Sequence, residues 1–254
     1  MSSFDEKIAR AQKLSHEIPA AREVLDFYSR IAVFQRDISL QFNGVEHSDI
    51  RSMLKFLPQL RALVAQMGSV PLQQALSELG DNQEKWTELL LENWEPQGGR
   101  TQSPAQLFLS YLLLQPYAQH VTSRMNIAPD TSSSHCPACG NPAQLAVLRE
   151  FNNGAKRSLI CSLCSTEWEF LRVRCPNCNQ QDKDKLPVFT AEQFQQGRIE
   201  ACDNCKTYIK CIDLSKDGHA VPQVDDLATL ALDLWAQEQG YTPQHHNMFF
   251  LPSE

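Results

Sequence analysis

The 254-residue chain predicts an α+β architecture: an N-terminal helical bundle, two tandem metal-binding modules and a C-terminal helix. Three observations carry this. Apolar residues recur at helical steps through the first half. Four Cys-x-x-Cys pairs crowd into the seventy residues from Cys136 to Cys205. A helical stripe then returns between Asp225 and Gln239.

In the first half, Val24, Phe27, Tyr28, Ile31, Phe34 and Ile38 fall three or four residues apart and make one apolar face. Met53, Leu54, Leu57, Leu60, Leu63, Val64 and Met67 make a second. A short helix through Leu76 and Leu79 should stop at Gly80, and Asp81 can cap the next, which carries Trp86, Leu89, Leu90 and Trp94 before Pro96. Ser103–Pro104 supplies a cap and an N1 proline for a helix through Leu107, Tyr111 and Leu114, which can continue past Pro116 with a kink. Five or six helices with short joints suggest a bundle, and its aromatic stripe reads as packed core.

Asn126 to His135 is polar and Ser-rich, which marks a linker. The pattern then changes to short strands. Ala143–Phe151 and Ala155–Ile160 flank an Asn152–Asn153–Gly154 turn of hairpin type. Thr166, Trp168 and Phe170 alternate on one face before Leu171 and Val173 take the other phase, as at a bulge or at a strand passed between ribbons. Tyr208–Leu214 reads as another strand. In the last helix Leu227, Leu230, Ala231, Leu234 and Trp235 share a face, and Gly240 is placed to end it. The divisions expected are 1–126 helical, 127–135 linker, 136–174 and 175–222 the two modules, and 223–254 helix and tail.

The cysteines carry the chemistry. Nine in this length would give about 0.3 pairs at this spacing by chance, and four occur. A pair three apart grips an ion from a tight turn, and two pairs complete a tetrahedral sulfur shell. The region is also a repeat. Each unit opens with Cys-Pro-x-Cys and closes with Arg-x3-Cys-x2-Cys-x-Thr, at Arg157–Thr166 and Arg198–Thr207. The expected sites are therefore Cys136, Cys139, Cys161 and Cys164 in the first unit and Cys175, Cys178, Cys202 and Cys205 in the second. A cross-brace of first with third and second with fourth pairs is the alternative. Gly140 and Asn179 suit the positive φ that follows each opening pair. His135 reads as a linker residue, Cys211 as a buried strand thiol, and His245–His246 as surface. Arg157 and Arg198 are expected to screen the anionic centres.

Composition narrows the function. Net charge is −7 and even along the chain: residues 1–130 hold 12 basic and 15 acidic groups, and the remainder 11 and 15. No basic stripe for a phosphate backbone is present. The start, MSSFDEKIARAQKL, lacks the apolar core of a secretory signal, and no apolar run approaches a membrane span. The chain is therefore expected to be cytoplasmic, with reduced thiols. All-sulfur shells suit zinc or iron and leave no open coordination position, and no hydrolytic or phosphate-binding motif accompanies them. A binding or electron-transferring protein is expected, not an enzyme.

CSLCSTEWEFLRVRCPNC, CDNCKTYIK, VDDLATLALDLWAQEQGY and the terminal LP resemble the formate dehydrogenase accessory protein FdhE family over roughly residues 135–252. The helical part resembles it only loosely. The resemblance implies a cytoplasmic factor that matures respiratory molybdenum formate dehydrogenase and contacts its catalytic subunit. It also implies two rubredoxin-like units and iron on the eight cysteines named above. The competing readings are a rubredoxin-type electron carrier, a zinc-ribbon nucleic-acid-binding regulator and a redox-switched chaperone.

Overall fold

In the computed structural model, residues 3–42, 49–95, 102–127, 131–152 and 154–250 are described. Pro96, Asn153, part of the linker and the terminal Leu251–Pro252 lie outside them. The stripes fold as α1 (Ser3–Glu17), α2 (Arg22–Leu40), a 3-10 segment at Ile50–Phe56 running into α3 (Leu57–Met67), α4 (Val70–Leu79), α5 (Gln83–Trp94) and α6 (Pro104–Thr122). Gly80 ends α4 at φ 56°. The cap of α5 is Asn82 rather than Asp81: its side chain accepts from the Glu84 and Lys85 amides, while Asp81 pairs with Arg61 at 2.8 Å. Ser103 and Gln106 close a capping box on α6. That helix is buried on most sides and carries Pro116 within it, so it forms the centre of the bundle.

The strands are β1 (Ala143–Phe151), β2 (Gly154–Cys161), β3 (Glu167–Glu169), β4 (Val188–Thr190), β5 (Gly197–Cys202), β6 (Thr207–Asp213) and β7 (Thr242–Pro243). They form one sheet in the order β3-β2-β1-β6-β5-β4, with β7 beside β6. The order 3-2-1 followed by 6-5-4 is the sequence repeat laid out in space. Each unit is an antiparallel three-stranded ribbon, and the units meet head to tail where β1 runs parallel to β6 through Ala146–Cys211 and Leu148–Asp213. Leu171 and Val173 lie in no strand. They are exposed in the connection between units, so their change of phase marks a crossing and not a bulge.

The expected last helix is two, α7 (Pro222–Ala228) and α8 (Leu230–Glu238), broken at Thr229, whose hydroxyl bonds back to the Asp225 and Asp226 carbonyls. The break rotates the second half. Leu232 and Ala236 face inward, while Ala231 and Leu234 are exposed. Gly240 closes the segment at φ 82°.

Helices and sheet share a core. Leu109, Leu112 and Leu113 of α6 belong to one apolar cluster with Leu159, Trp168, Phe170 and Ile209. Buried ion pairs fasten the ends. Arg10 of α1 donates to Asp225 of α7 at 3.0 and 2.6 Å and to Asp217 at 2.7 Å. Lys210 of β6 reaches the Asp226 carboxylate at 3.0 Å and also pairs with Asp233 of α8. Burial opposes the Lys210 charge, but Asp226 and Asp233 outweigh it and raise its pKa above 10.5. This contribution to stability is full below that ordinary value and is lost as pH climbs through the raised folded-state pKa. Lys210→Met strands two buried carboxylates, so chemical denaturation should show a loss of about 3–5 kcal/mol at neutral pH. A variant as stable as the parent would show that α7 and α8 are held by packing alone.

Candidate metal centres

Each Cys-x-x-Cys knuckle needs the chain to turn back within five residues. The residue after the second cysteine makes that turn in the left-handed region in all four: Gly140 at φ 75°, Ser165 at 59°, Asn179 at 61° and Lys206 at 55°. The opening knuckles close with Gly140 N–H to Cys136 O (2.8 Å) and Asn179 N–H to Cys175 O (3.0 Å). Strand ends place the other two knuckles. β2 runs into Cys161 and β5 into Cys202, and the turns to β3 and β6 carry Cys164 and Cys205.

The sulfurs gather as two sets, Cys136/Cys139/Cys161/Cys164 and Cys175/Cys178/Cys202/Cys205, each lying within 4.8 Å of one another. This is the within-unit grouping, not the cross-brace. In the first set Cys136–Cys164 is 3.6 Å, and Cys139 is 3.4 Å from both Cys161 and Cys164. In the second, Cys175–Cys205 is 3.7 Å and Cys178–Cys202 is 3.6 Å. Sulfurs about 2.3 Å from a tetrahedral ion sit roughly 3.8 Å apart. Both sets therefore fit a tetrathiolate ion.

Hydrogen-bonding groups surround the sulfurs, at equivalent places for the knuckle amides and the threonines. Backbone N–H groups of Ala138, Leu163 and Asn177 each donate at 3.4 Å, to Cys136, Cys161 and Cys175. The Asn141 amide donates to Cys139 (3.6 Å) and the Asn204 amide to Cys178 (3.5 Å). Thr166 and Thr207 hydroxyls lie 3.1 and 3.0 Å from Cys164 and Cys205. Burial pushes the Cys175 thiol up to about 12. At Cys205 burial is outweighed by hydrogen bonds from Thr207 and Asn177, which pull it down to about 6. N–H···S and O–H···S bonds of this kind stabilise thiolate charge and tune a bound ion.

Arg157 and Arg198 are equivalent by the repeat, but they do not screen the sulfurs. Both converge on Glu200, Arg157 at 2.8 Å and Arg198 through its Nε at 3.0 Å, so the two ribbons share one carboxylate. Burial would raise the Glu200 pKa, but the two guanidiniums win and hold it below the usual carboxylate value. Cys211 is fully buried on β6, and burial raises its thiol well above 9.0. His135 is exposed and bridges Pro142 through the backbone. His246 is exposed, whereas His245 is half-buried and engaged with neighbours. Sequence reasoning missed Ser165, Lys206 and Glu200. The first two occupy the place after a second cysteine that Gly140 and Asn179 had already flagged, and the third lies two residues beyond a repeated arginine.

Two family models match the chain: "FdhE, central domain" over residues 135–172 and "FdhE, C-terminal domain" over residues 173–250. A protein FdhE homolog of Aquifex aeolicus is 28% identical over 94% of this chain and 92% of its own length. A homolog of Haemophilus influenzae is 32% identical over 54% of this chain and 45% of its own. Protein FdhE of Escherichia coli K12 is 36% identical over 47% of this chain and 38% of its own. The match thus spans less than half the length of the last two. The crystal structure of the FdhE protein from Pseudomonas aeruginosa superposes with a TM-score of 0.80 over 100% of this chain and 98% of that one, at 23% identity, which establishes a common fold. The sequence matches run through both cysteine sets, and in them the chain is similar to the FdhE family.

Proposed function

We propose that this chain is a cytoplasmic accessory factor that matures a respiratory molybdenum formate dehydrogenase. It binds the catalytic subunit of that enzyme and carries two metal ions, iron in preference to zinc. One observation supports the reading above the others: residues 135–250, which match the family, contain both sulfur sets. Cys136, Cys139, Cys161 and Cys164 hold one ion, and Cys175, Cys178, Cys202 and Cys205 the other. A bound ion would cross-link each ribbon and, if iron, offer one-electron redox chemistry. The chain's own part is to fix the sulfurs, donate hydrogen bonds to them and present the ribbons to the partner. Four protein ligands per ion leave no place for a substrate, so we assign no catalysis to the chain itself. Among the described residues no helix is long and apolar enough to cross a membrane.

Short strands at 136–222 depend on the ions, since a structural tetrathiolate site contributes on the order of 10 kcal/mol. We therefore keep the divisions near 126, 135, 174 and 222 as the proposed order of unfolding. Chelation followed by limited proteolysis should open the chain after about residue 135 before the bundle is cut. Equal resistance along the whole chelated chain would count against it.

Metal analysis of anaerobically purified protein should find two equivalents. Replacing Cys136 and Cys139 together by Ser should remove one and spare the other. Loss of both with the fold retained would mean that the sites are not independent. Because ligation displaces thiol protons, retention should weaken as pH falls.

Replacing Cys175 and Cys178 by Ser should lower formate dehydrogenase activity in cells while its subunits are still made. A deletion strain with full respiratory formate oxidation would refute the maturation reading.

A further inference from the structure

A cavity of about 480 Å³ lies where α1, the end of α6, the Cys164–Thr166 knuckle and the segment entering α7 meet. Lys7 lines it. This lysine is 5% exposed, yet no carboxylate or hydrogen-bond acceptor meets it among the described residues. The Phe4 ring lies 5.2 Å from the ammonium. A buried cation without a partner is costly, and lysine almost never sits this way unless paired. The strain is visible in its acidity, since burial alone lowers its pKa to about 8. The other buried cations among the described residues are all answered: Arg10 by Asp225, Arg157 by Glu200 and Lys210 by Asp226.

The other charged side chains on the cavity wall are either paired or solvated. Arg149 is held by two bonds to Glu167 at 3.0 and 2.8 Å. Glu6 is exposed at the rim and forms no ion pair with Lys7. Lys7 is the one buried charge of this wall left without a partner among the described residues. Neutral donors line the same cavity. The Ser165 hydroxyl accepts from Gln119 at 3.1 Å, which leaves its own proton free to donate. The amide of Gln223 has no partner among the described residues. One buried, unpartnered ammonium with two neutral donors suits a singly charged planar oxyanion better than a dianion.

We propose that this cavity binds a monocarboxylate, with the Lys7 ammonium as counter-ion and Ser165 and Gln223 as neutral donors. The carboxylate can belong to a free small acid or to the end of a peptide chain. Ser165 follows a metal-site cysteine directly, so occupancy would be felt at the first centre's knuckle. This site adjoins the first sulfur set, whose Cys164 lies on its wall, and does not depend on the maturation reading.

Calorimetry on the metal-loaded full chain would use four probes: acetate, the tetrapeptide Ala-Gly-Leu-Gly with a free carboxyl end, the same peptide amidated, and inorganic phosphate. Acetate or the free-acid peptide should bind, and the amide should not. Tighter acetate assigns a free acid, and a tighter peptide assigns a chain end. Lys7→Met should weaken that binding roughly tenfold or more. It should also raise the melting temperature of the ligand-free protein by about 2–4 °C, because an unpaired charge is removed. Ser165→Gly keeps the left-handed turn, loses only the hydroxyl, and should weaken binding roughly three- to tenfold with metal content unchanged. The proposal is overturned if neither carboxylate binds, if the amide or phosphate binds as tightly, if both variants keep full affinity, or if Lys7→Met lowers the melting temperature.

Discussion

The left-handed turn after each second cysteine is the constraint on which the ribbons depend. Four sulfurs meet only if two chain segments each reverse within a knuckle, and the reversal needs positive φ at Gly140, Ser165, Asn179 and Lys206. Two of these are residues that the left-handed region ordinarily disfavours. Their surroundings must hold them there, and the bonds that do so also aim the backbone N–H groups at sulfur. Strand placement follows. β2 and β5 must end where a knuckle begins, so the β1–β2 register is fixed at both ends, by the turn at one and the sulfur set at the other, while in β5–β6 the knuckle is itself the turn.

A second layer of constraint joins the parts. The head-to-tail contact of the ribbons is a short parallel pairing, which is weaker per residue than the antiparallel pairing within each unit. Glu200 strengthens it by answering an arginine from each unit. The helical half is tied to the C-terminal helices by Arg10, and those helices to the sheet by Lys210. Buried ion pairs add little net stability compared with apolar contacts, but breaking one is expensive. They therefore select the docking arrangement more than they strengthen it. Lys7 stands out against this pattern as a buried cation with no such answer.

Legibility in the sequence followed the range of the interaction concerned. Spacing within a knuckle is local, so all eight cysteines, their grouping by unit and the roles of Gly140 and Asn179 could be read directly. Helix faces at Ile31, Ile38 and Leu60 were equally plain, because a 3.6-residue period records burial on one side. β4 went unread because a three-residue strand carries no usable alternation, and β5 because its six residues hold a single large apolar side chain, Ile199. The break at Thr229 was hidden because Leu227 to Trp235 keep a helical rhythm across it. What interrupts the helix is the burial of Asp225 and Asp226 against Arg10 and Lys210, and both partners are remote in sequence. Arg157 and Arg198 were seen as a repeat but given the wrong partner for the same reason. A salt bridge between elements leaves no trace in local pattern.

A closed sulfur shell limits what this fold can do as much as it enables. Four thiolates saturate a tetrahedral ion, so an ion held here can stabilise, sense or pass an electron, but it cannot take up a substrate. Any action on another molecule has to pass through the surface around the knuckles. The two centres differ there. The second lies beside a cleft lined by Arg172, Arg174 and Lys183 in a chain of net charge −7, and the first lies beside the Lys7 cavity. Duplication thus gave two similar ion cages, while the helical half, whose core reaches strands of both units, encloses a pocket with the knuckle of the first. The asymmetry gives the repeat room for two roles: one ribbon built into the body of the protein, the other left with an open, basic face.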